Sequence, residues 1–419
     1  MAKWKIYTPE GIQDILSNEC FFKKNLEEKM RNVFRSRGYY EVETPMVEFY
    51  DVFSTEENIM PQETMFKFFD QQGRILVLRP DMTIPIARVA ATKYRDAAYP
   101  LRLSYIGNTF KYNELGGGKQ KEFTQAGIEI IGVNTPEADA EVIATAIDAV
   151  KAAGLENFQI DIGQVEFFKG LMEETGLSDE ETEKMRILID KKDFLGIEEL
   201  VQKQSIRDDL KELILSLPKL FGSTDVIDRV EKYPINQRSI DALNNLRSVL
   251  KILDDYGISK YVSVDLGMVQ SLNYYSGTIF RGFTYGVGFP ILSGGRYDRL
   301  VEKFGKKSPA TGFSLGINMI MMALDRQKIE IEKPGVDTLV CCKEEGRKTA
   351  FRICETLRNQ GLVIEMDITG GCDFGKIKSY ASSKGIGGIL NVLDDENIEV
   401  HNLEKGEVSK VTVSELLKI

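Results

Sequence analysis

Gln125 and Glu129 stand four residues apart in Phe123-Thr124-Gln125-Ala126-Gly127-Ile128-Glu129. On a strand, residues an even number apart share one face. An amide and a carboxylate would then project together, with small Gly127 between them leaving room for a ligand. Asp81 and Thr83 follow a strand-like run in Leu78-Arg79-Pro80-Asp81-Met82-Thr83, and Asn273-Tyr274-Tyr275-Ser276-Gly277 brings phenols to a strand turn. Two carboxylates, an amide and tyrosines suit an amino acid with a basic side chain. One carboxylate matches an ammonium, and the other accepts from an imidazole N–H. Spacing alone fits a solvated strand face equally well.

Other chemistries are scarce. The chain has a single histidine, His401, in Ile398-Glu399-Val400-His401-Asn402, which reads as an exposed strand end. A Ser-His-Asp triad, a Cys-His pair or a His-rich metal site would all depend on that residue. The five cysteines (Cys20, Cys341, Cys342, Cys354, Cys372) are scattered with no C-x-x-C pair. Neither a disulfide framework nor a zinc site is expected, and a reducing cytoplasm fits. Gly116-Gly117-Gly118-Lys119 lacks the spacing of a phosphate-binding P-loop and reads as a mobile turn between two strands. Cys341-Cys342 reads as core strand. No metal and no cofactor is expected.

The elements that must hold these side chains follow from pattern. The chain has 419 residues, 42% hydrophobic and 28% charged, which predicts two to four soluble domains. No run approaches the roughly 18 apolar residues of a membrane span, and no secretory signal is visible. A net charge of −10 makes the chain a poor default binder of polyanions. Phe22, Leu26, Met30, Val33 and Phe34 give one apolar helix face, stopped by Gly38. Tyr40, Val42 and Thr44 alternate as a half-buried strand. Met65–Phe69 and Arg74–Leu78 read as a hairpin, and Leu101–Ile106 and Glu122–Gly132 as strands. Thr135-Pro136 opens a helix that ends at Gly154. The strands are joined by short turns, so the expected fold is α+β, a mainly antiparallel sheet flanked by helices. Text from about 165 to 250 turns helical and charged, an insertion into the sheet domain. Strand text returns at 262–266, 278–285 and Gly294-Gly295, and an apolar, fully buried helix is expected over Ser314–Leu324. The first domain spans 1–330. After the linker Glu332-Lys333-Pro334-Gly335, alternating strand and helix text predicts a small α/β domain over 335–419.

These segments resemble the catalytic core of histidyl-tRNA synthetase, a class II aminoacyl-tRNA synthetase. Pro9–Leu16 is similar to that family's opening motif, and Gly38–Glu48 to class II motif 1. Leu78–Thr83 is similar to its L-R-P-E-G-T segment, and Tyr105–Gly132 to motif 2. Leu272–Thr278 resembles L-D-Y-Y-T-G-T; Gly294–Asp298 and Gly312–Met319 cover motif 3. The resemblance implies a retained histidine pocket. Asp81, in place of the family's usual glutamate, would hold the ligand's α-amino end with Thr83 and Gln125. Glu129 and Tyr275 would hold the imidazole, with Tyr274 and Tyr297 lining the pocket.

By the same resemblance the groups that handle ATP are replaced. Lys111 stands for the motif 2 arginine, Asn113 for its companion glutamate, and about Lys119 for the loop arginine. Met319 stands at the arginine of motif 3, and Gln270 at the arginine that stabilises charge during activation. Phosphoryl chemistry rests on positive charge and positioning, and one missing preorganised donor costs on the order of 10²–10³ in rate. A lysine also lacks the bidentate fork of arginine. Activation is therefore expected to be lost, and no catalytic residue is assigned.

A synthetase fold with a histidine pocket and no activation machinery resembles the ATP phosphoribosyltransferase regulatory subunits of histidine biosynthesis. That resemblance implies a non-catalytic, allosteric subunit carrying histidine feedback, a homodimeric core, and a hetero-octamer with a short-form catalytic subunit. Lys111 or Gln270 would meet the ligand carboxylate. A divergent working histidyl-tRNA synthetase is the alternative. The tail resembles a reduced anticodon-binding domain. Gly335–Ile419 holds 11 basic and 14 acidic residues, a charge of −3, so tRNA is not an expected partner.

Overall fold

The computed structural model describes residues 6–54, 60–112, 120–269, 275–330, 333–369 and 373–417. The chain divides into two compact units, Met1–Ile331 and Glu332–Ile419.

In chain order the first unit opens with α1 (Ser17–Ser36), β1 (Tyr40–Glu41), β2 (Val47–Phe49), β3 (Lys67–Phe69), β4 (Ile75–Leu78) and α2 (Thr83–Thr92). Next come β5 (Leu101–Phe110), β6 (Glu122–Ile131), α3 (Pro136–Ala153) and β7 (Phe158–Gln164). Six helices follow, from α4 (Val165–Thr175) to α9 (Gln237–Asp255), with β8 (Phe221–Gly222) among them. The unit closes with β9 (Val262–Asp265), β10 (Thr278–Thr284), β11 (Leu292–Arg296), β12 (Ala310–Gly316) and α10 (Ile317–Arg326).

Nine strands form one sheet in the order β1-β5-β6-β12-β11-β10-β7-β9-β8. The pairings are antiparallel except β1 with β5 and β7 with β9. Alternation along the strands divides the core in two. On one face Ala126, Ile128, Ile130, Phe313, Leu315 and Phe280 pack with α1, α3 and α9. On the other, Leu103, Tyr105, Ile131 and Ile279 pack with Ile84, Ile86, Ala87 and Ala90 of α2. Local chemistry sets the helix ends. Thr135 accepts from the N–H of Ala138, Pro136 takes the first helical position, and Gly154 ends α3 in the left-handed conformation at φ 100°.

Two expectations need correction. The apolar run from Ser314 is split: Ser314–Gly316 complete β12, and α10 begins at Ile317. That helix is not buried all round. Ile317, Ile320, Ala323 and Leu324 face inward, whereas Met322 is 38% exposed. The second correction lies in the other unit.

There β13 (Thr338–Cys342), β14 (Ile364–Met366) and β15 (Gly388–Val392) pair in parallel through α11 (Arg347–Asn359) and α12 (Phe374–Lys384). An antiparallel hairpin, β16 (Asn397–Asn402) and β17 (Glu407–Thr412), completes the sheet, and α13 (Val413–Leu416) follows. His401 is not a surface group. It lies within β16 between two partner strands, its ring centroid is 4.4 Å from that of Phe374, and its Nε2 is 3.8 Å from Glu399. Cys341 is buried in β13.

Candidate functional site

The site is built on the α2 face of the large sheet. Glu129 pairs with Leu103 on one side and Gly312 on the other, and Gly312 pairs with Gly295. One row across four strands thus holds one carboxylate and two glycines. Gly312 is a requirement of this row. A Cβ there would lie 1.7 Å from Glu129 Oε2, so only glycine lets the carboxylate lie across the neighbouring strand.

Glu129 is 1% exposed, which excludes the solvated-face reading. The Tyr297 hydroxyl donates to its Oε2 at 2.5 Å and the Tyr105 hydroxyl to its Oε1 at 3.3 Å. Burial pushes the Glu129 carboxyl up to about 8, and the charge of Asp81 adds to the rise. The hydroxyls of Tyr297, Thr83 and Tyr105 pull the other way. Burial, then the charges of Glu129 and Asp81, hold the Tyr105 phenol well above its usual range.

Gln125 lies two pleats along the same face and is 7% exposed. Its Oε1 is buried without a hydrogen-bond partner. Buried amides are nearly always satisfied, so an orphaned one on the same strand face as a buried carboxyl makes this face a candidate ligand site. Asp81 Oδ1 accepts from the N–H groups of Thr83 and Ile84 at 2.8 and 3.3 Å, which fixes the start of α2. Thr83 is buried beneath it. Tyr275 is 7% exposed; a Cβ on Gly295 would lie 2.9 Å from its ring, so the phenol covers the two-glycine row.

Asp81, Thr83, Gln125, Glu129, Tyr275 and Tyr297 are therefore brought together. Gly127 does not leave the expected room. A Cβ there would be 2.5 Å from the Tyr105 hydroxyl and 2.2 Å from the carbonyl of Phe313, so that space is filled by Tyr105. Lys111 follows β5 at the far end of this face, with its Nζ 5.8 Å from the Phe123 ring centroid. Met319 lies against Gly316, the residue paired with Gln125. Gln270, Tyr274, Asn113 and the Gly116–Lys119 turn lie outside the described residues.

Three side chains that shape this face escape the sequence reading. Tyr105 is one. Asn318 is another: it accepts from the Thr124 N–H at 2.9 Å and donates to Gln120 at 2.7 Å, tying α10 to the strand that carries Gln125. Arg79 is the third. It donates from Nη1 to the Thr44 carbonyl and hydroxyl and from Nε to the Asn108 carbonyl at 2.8 Å. Parity along β5 was the available signal for Tyr105; the other two carry none.

Comparison with known proteins identifies the family and the fold. The family model described as histidyl-tRNA synthetase matches residues 11–320. The chain is 86% identical over 418 residues to an ATP phosphoribosyltransferase regulatory subunit of Acetivibrio thermocellus, covering 100% of both. It is 54% identical to the protein of the same name in Ruminiclostridium cellulolyticum, covering 100% of this chain and 99% of the other. A solved ATP phosphoribosyltransferase regulatory subunit/histidyl-tRNA synthetase from Bacillus halodurans superposes with a TM-score of 0.84 at 32% identity, covering 93% of this chain and 99% of that one. Histidyl-tRNA synthetase from Nostoc sp. shares the fold, with a TM-score of 0.83 at 24% identity over 99% of this chain and 100% of that one.

Proposed function

The chain belongs to the histidyl-tRNA synthetase family, in its branch of ATP phosphoribosyltransferase regulatory subunits, and from that premise we propose that it binds L-histidine and sets the activity of a separate, short-form catalytic subunit. The observation that carries this is the buried Glu129 carboxyl, held by two phenols on the same strand face as the unsatisfied Gln125 amide. Glu129 accepts from the imidazole N–H, under Tyr275. Asp81, Thr83 and Gln125 meet the α-amino end. Histidine that binds one state of the complex more tightly than another shifts the population between them, and that difference is the feedback.

No reaction is assigned to this chain. At the positions that would clamp ATP the described residues offer Lys111 and Met319, one lysine without the bidentate fork and one side chain without a donor. A working synthetase is accordingly not favoured. The test mixes the chain with the short-form catalytic subunit of the same organism and follows phosphoribosyl-ATP. Activity is expected to require this chain and to fall with L-histidine. Independence from this chain would overturn the reading, as would histidine-dependent ATP–pyrophosphate exchange by the chain alone.

The assembly is proposed to start from a homodimer and to reach a hetero-octamer in the cytoplasm. Among the described residues no helix is long and apolar enough to cross a membrane. The small sheet β2-β4-β3 supports the dimer. Val47, Phe49 and Phe68 stand on one face of it at 42, 45 and 37% exposure. A contiguous apolar face of this kind marks an interface. Phe49→Glu is expected to halve the mass seen in sedimentation, to that of the 47.3 kDa chain; an unchanged mass would move the dimer contact elsewhere.

A further inference from the structure

We infer that Arg79 supplies the cation that binds the carboxylate of the amino-acid ligand. This rests on the histidine-pocket reading above and adds a binding residue to it.

Arg79 is 3% exposed. Among the described residues it forms no ion pair: its hydrogen bonds go to the Thr44 carbonyl and hydroxyl and the Asn108 carbonyl, all neutral oxygens. Glu43 and then Glu48 act on it at a distance without touching it; Glu43 is exposed to solvent, and Glu48 is itself paired with Arg88 at 2.6 Å. A buried guanidinium without an anion is costly and persists where an anion completes it. Those bonds use Nε and Nη1 and leave Nη2.

The direction of Nη2 follows from the ladder. A Cβ on Gly107 would lie 2.4 Å from Nη2. Gly107 pairs directly with Gln125, so both point to the pocket face. The free end of the fork therefore stands over a glycine, beside the one buried amide oxygen of the pocket that lacks a partner. Gln125 and Glu129 are four strand residues apart, about 13 Å, and their side chains close part of that span. A ligand with its imidazole at Glu129 then has its backbone groups at the level of Gln125 and Arg79. The two N–H donors of Nη2 remain, and a charge-assisted bond from them suits a carboxylate oxygen. Lys111, further along the same face, is the competing cation.

Calorimetry with L-histidine and L-histidinol separates these. Histidinol keeps the imidazole and the amine and replaces the carboxylate with a neutral alcohol. The wild-type chain is expected to prefer histidine about 10- to 100-fold, the range of a charge-assisted hydrogen bond. Arg79→Gln should erase that preference and leave histidinol affinity unchanged, and Arg79→Lys should restore part of it. Gly107→Ala puts a methyl 2.4 Å from the present position of Nη2, displaces the guanidinium and should also lower the ratio. Lys111→Met should leave the ratio intact. A preference that survives Arg79→Gln, or equal weakening of both ligands by it, overturns the assignment and leaves the pocket standing. Binding of neither ligand by the wild-type chain overturns both.

Discussion

Glu129→Gln is expected to raise the histidine concentration needed for half-inhibition of the reconstituted enzyme by about 10- to 100-fold, with activation of the catalytic subunit unchanged. The substitution keeps an acceptor and nearly the same volume, so the fold should tolerate it. It removes the group that can hold a proton jointly with the imidazole. Unchanged inhibition would place the feedback site outside this pocket.

The raised titration gives the same residue a pH signature. In the empty pocket Glu129 stays neutral up to about pH 8, and free imidazole is neutral above about 6.5. Between those values protein and ligand bring one proton together, and a complex of carboxylate with imidazolium keeps it. Toward acid two protons arrive and one must leave; toward alkali one must be taken up. Histidine affinity should therefore peak between about pH 6.5 and 8. Stability offers a ligand-free check. The folded-state carboxyl titrates near 8 and the unfolded one near 4.5. Its contribution is fully present below 4.5 and is lost as pH rises toward 8, at about 1.4 kcal/mol per unit. The melting temperature of Glu129→Gln relative to wild type should climb across that window. A constant difference would mean that Glu129 is ionised throughout.

Much of this site is legible in the sequence because strand parity is a strict rule. Gln125 and Glu129 do share a face, and Thr135-Pro136 and Gly154 do bound α3. What local pattern cannot express is register. Tyr105 enters the shell of Glu129 because β5 and β6 place it beside Gly127, and it takes the space that small side chain would otherwise leave open. Arg79 sits two residues before Asp81, yet its guanidinium is directed by Thr44 and Asn108, distant in the chain. His401 reads as a strand end, but β17 follows and encloses it. The strand β7 has the alternation of Phe158, Ile160 and Ile162 and escapes notice because helical text follows it at once.

The largest loss of stability is expected from Arg296→Leu. Arg296 and Asp139 have side chains 4 and 2% exposed, and they join β11 to α3 through bonds of 3.1 and 2.9 Å. The same guanidinium donates to the carbonyls of Val133 and Thr135 and to Asp298. Removing it leaves the Asp139 carboxylate buried without its counter-charge, a cost of about 3–5 kcal/mol. Burial already holds that carboxyl above its ordinary range despite Arg296, and losing Arg296 must raise it further. The deficit should then shrink as the pH falls and Asp139 takes a proton. Replacing both partners with leucine leaves no charge to strand, so the double variant should melt above Arg296→Leu alone, a non-additive result. Because Arg296 adjoins Tyr297, whose hydroxyl holds Glu129, histidine affinity should fall in the single variant as well. Simple additivity of the two leucine substitutions in urea unfolding would show that the pair does not act as a unit.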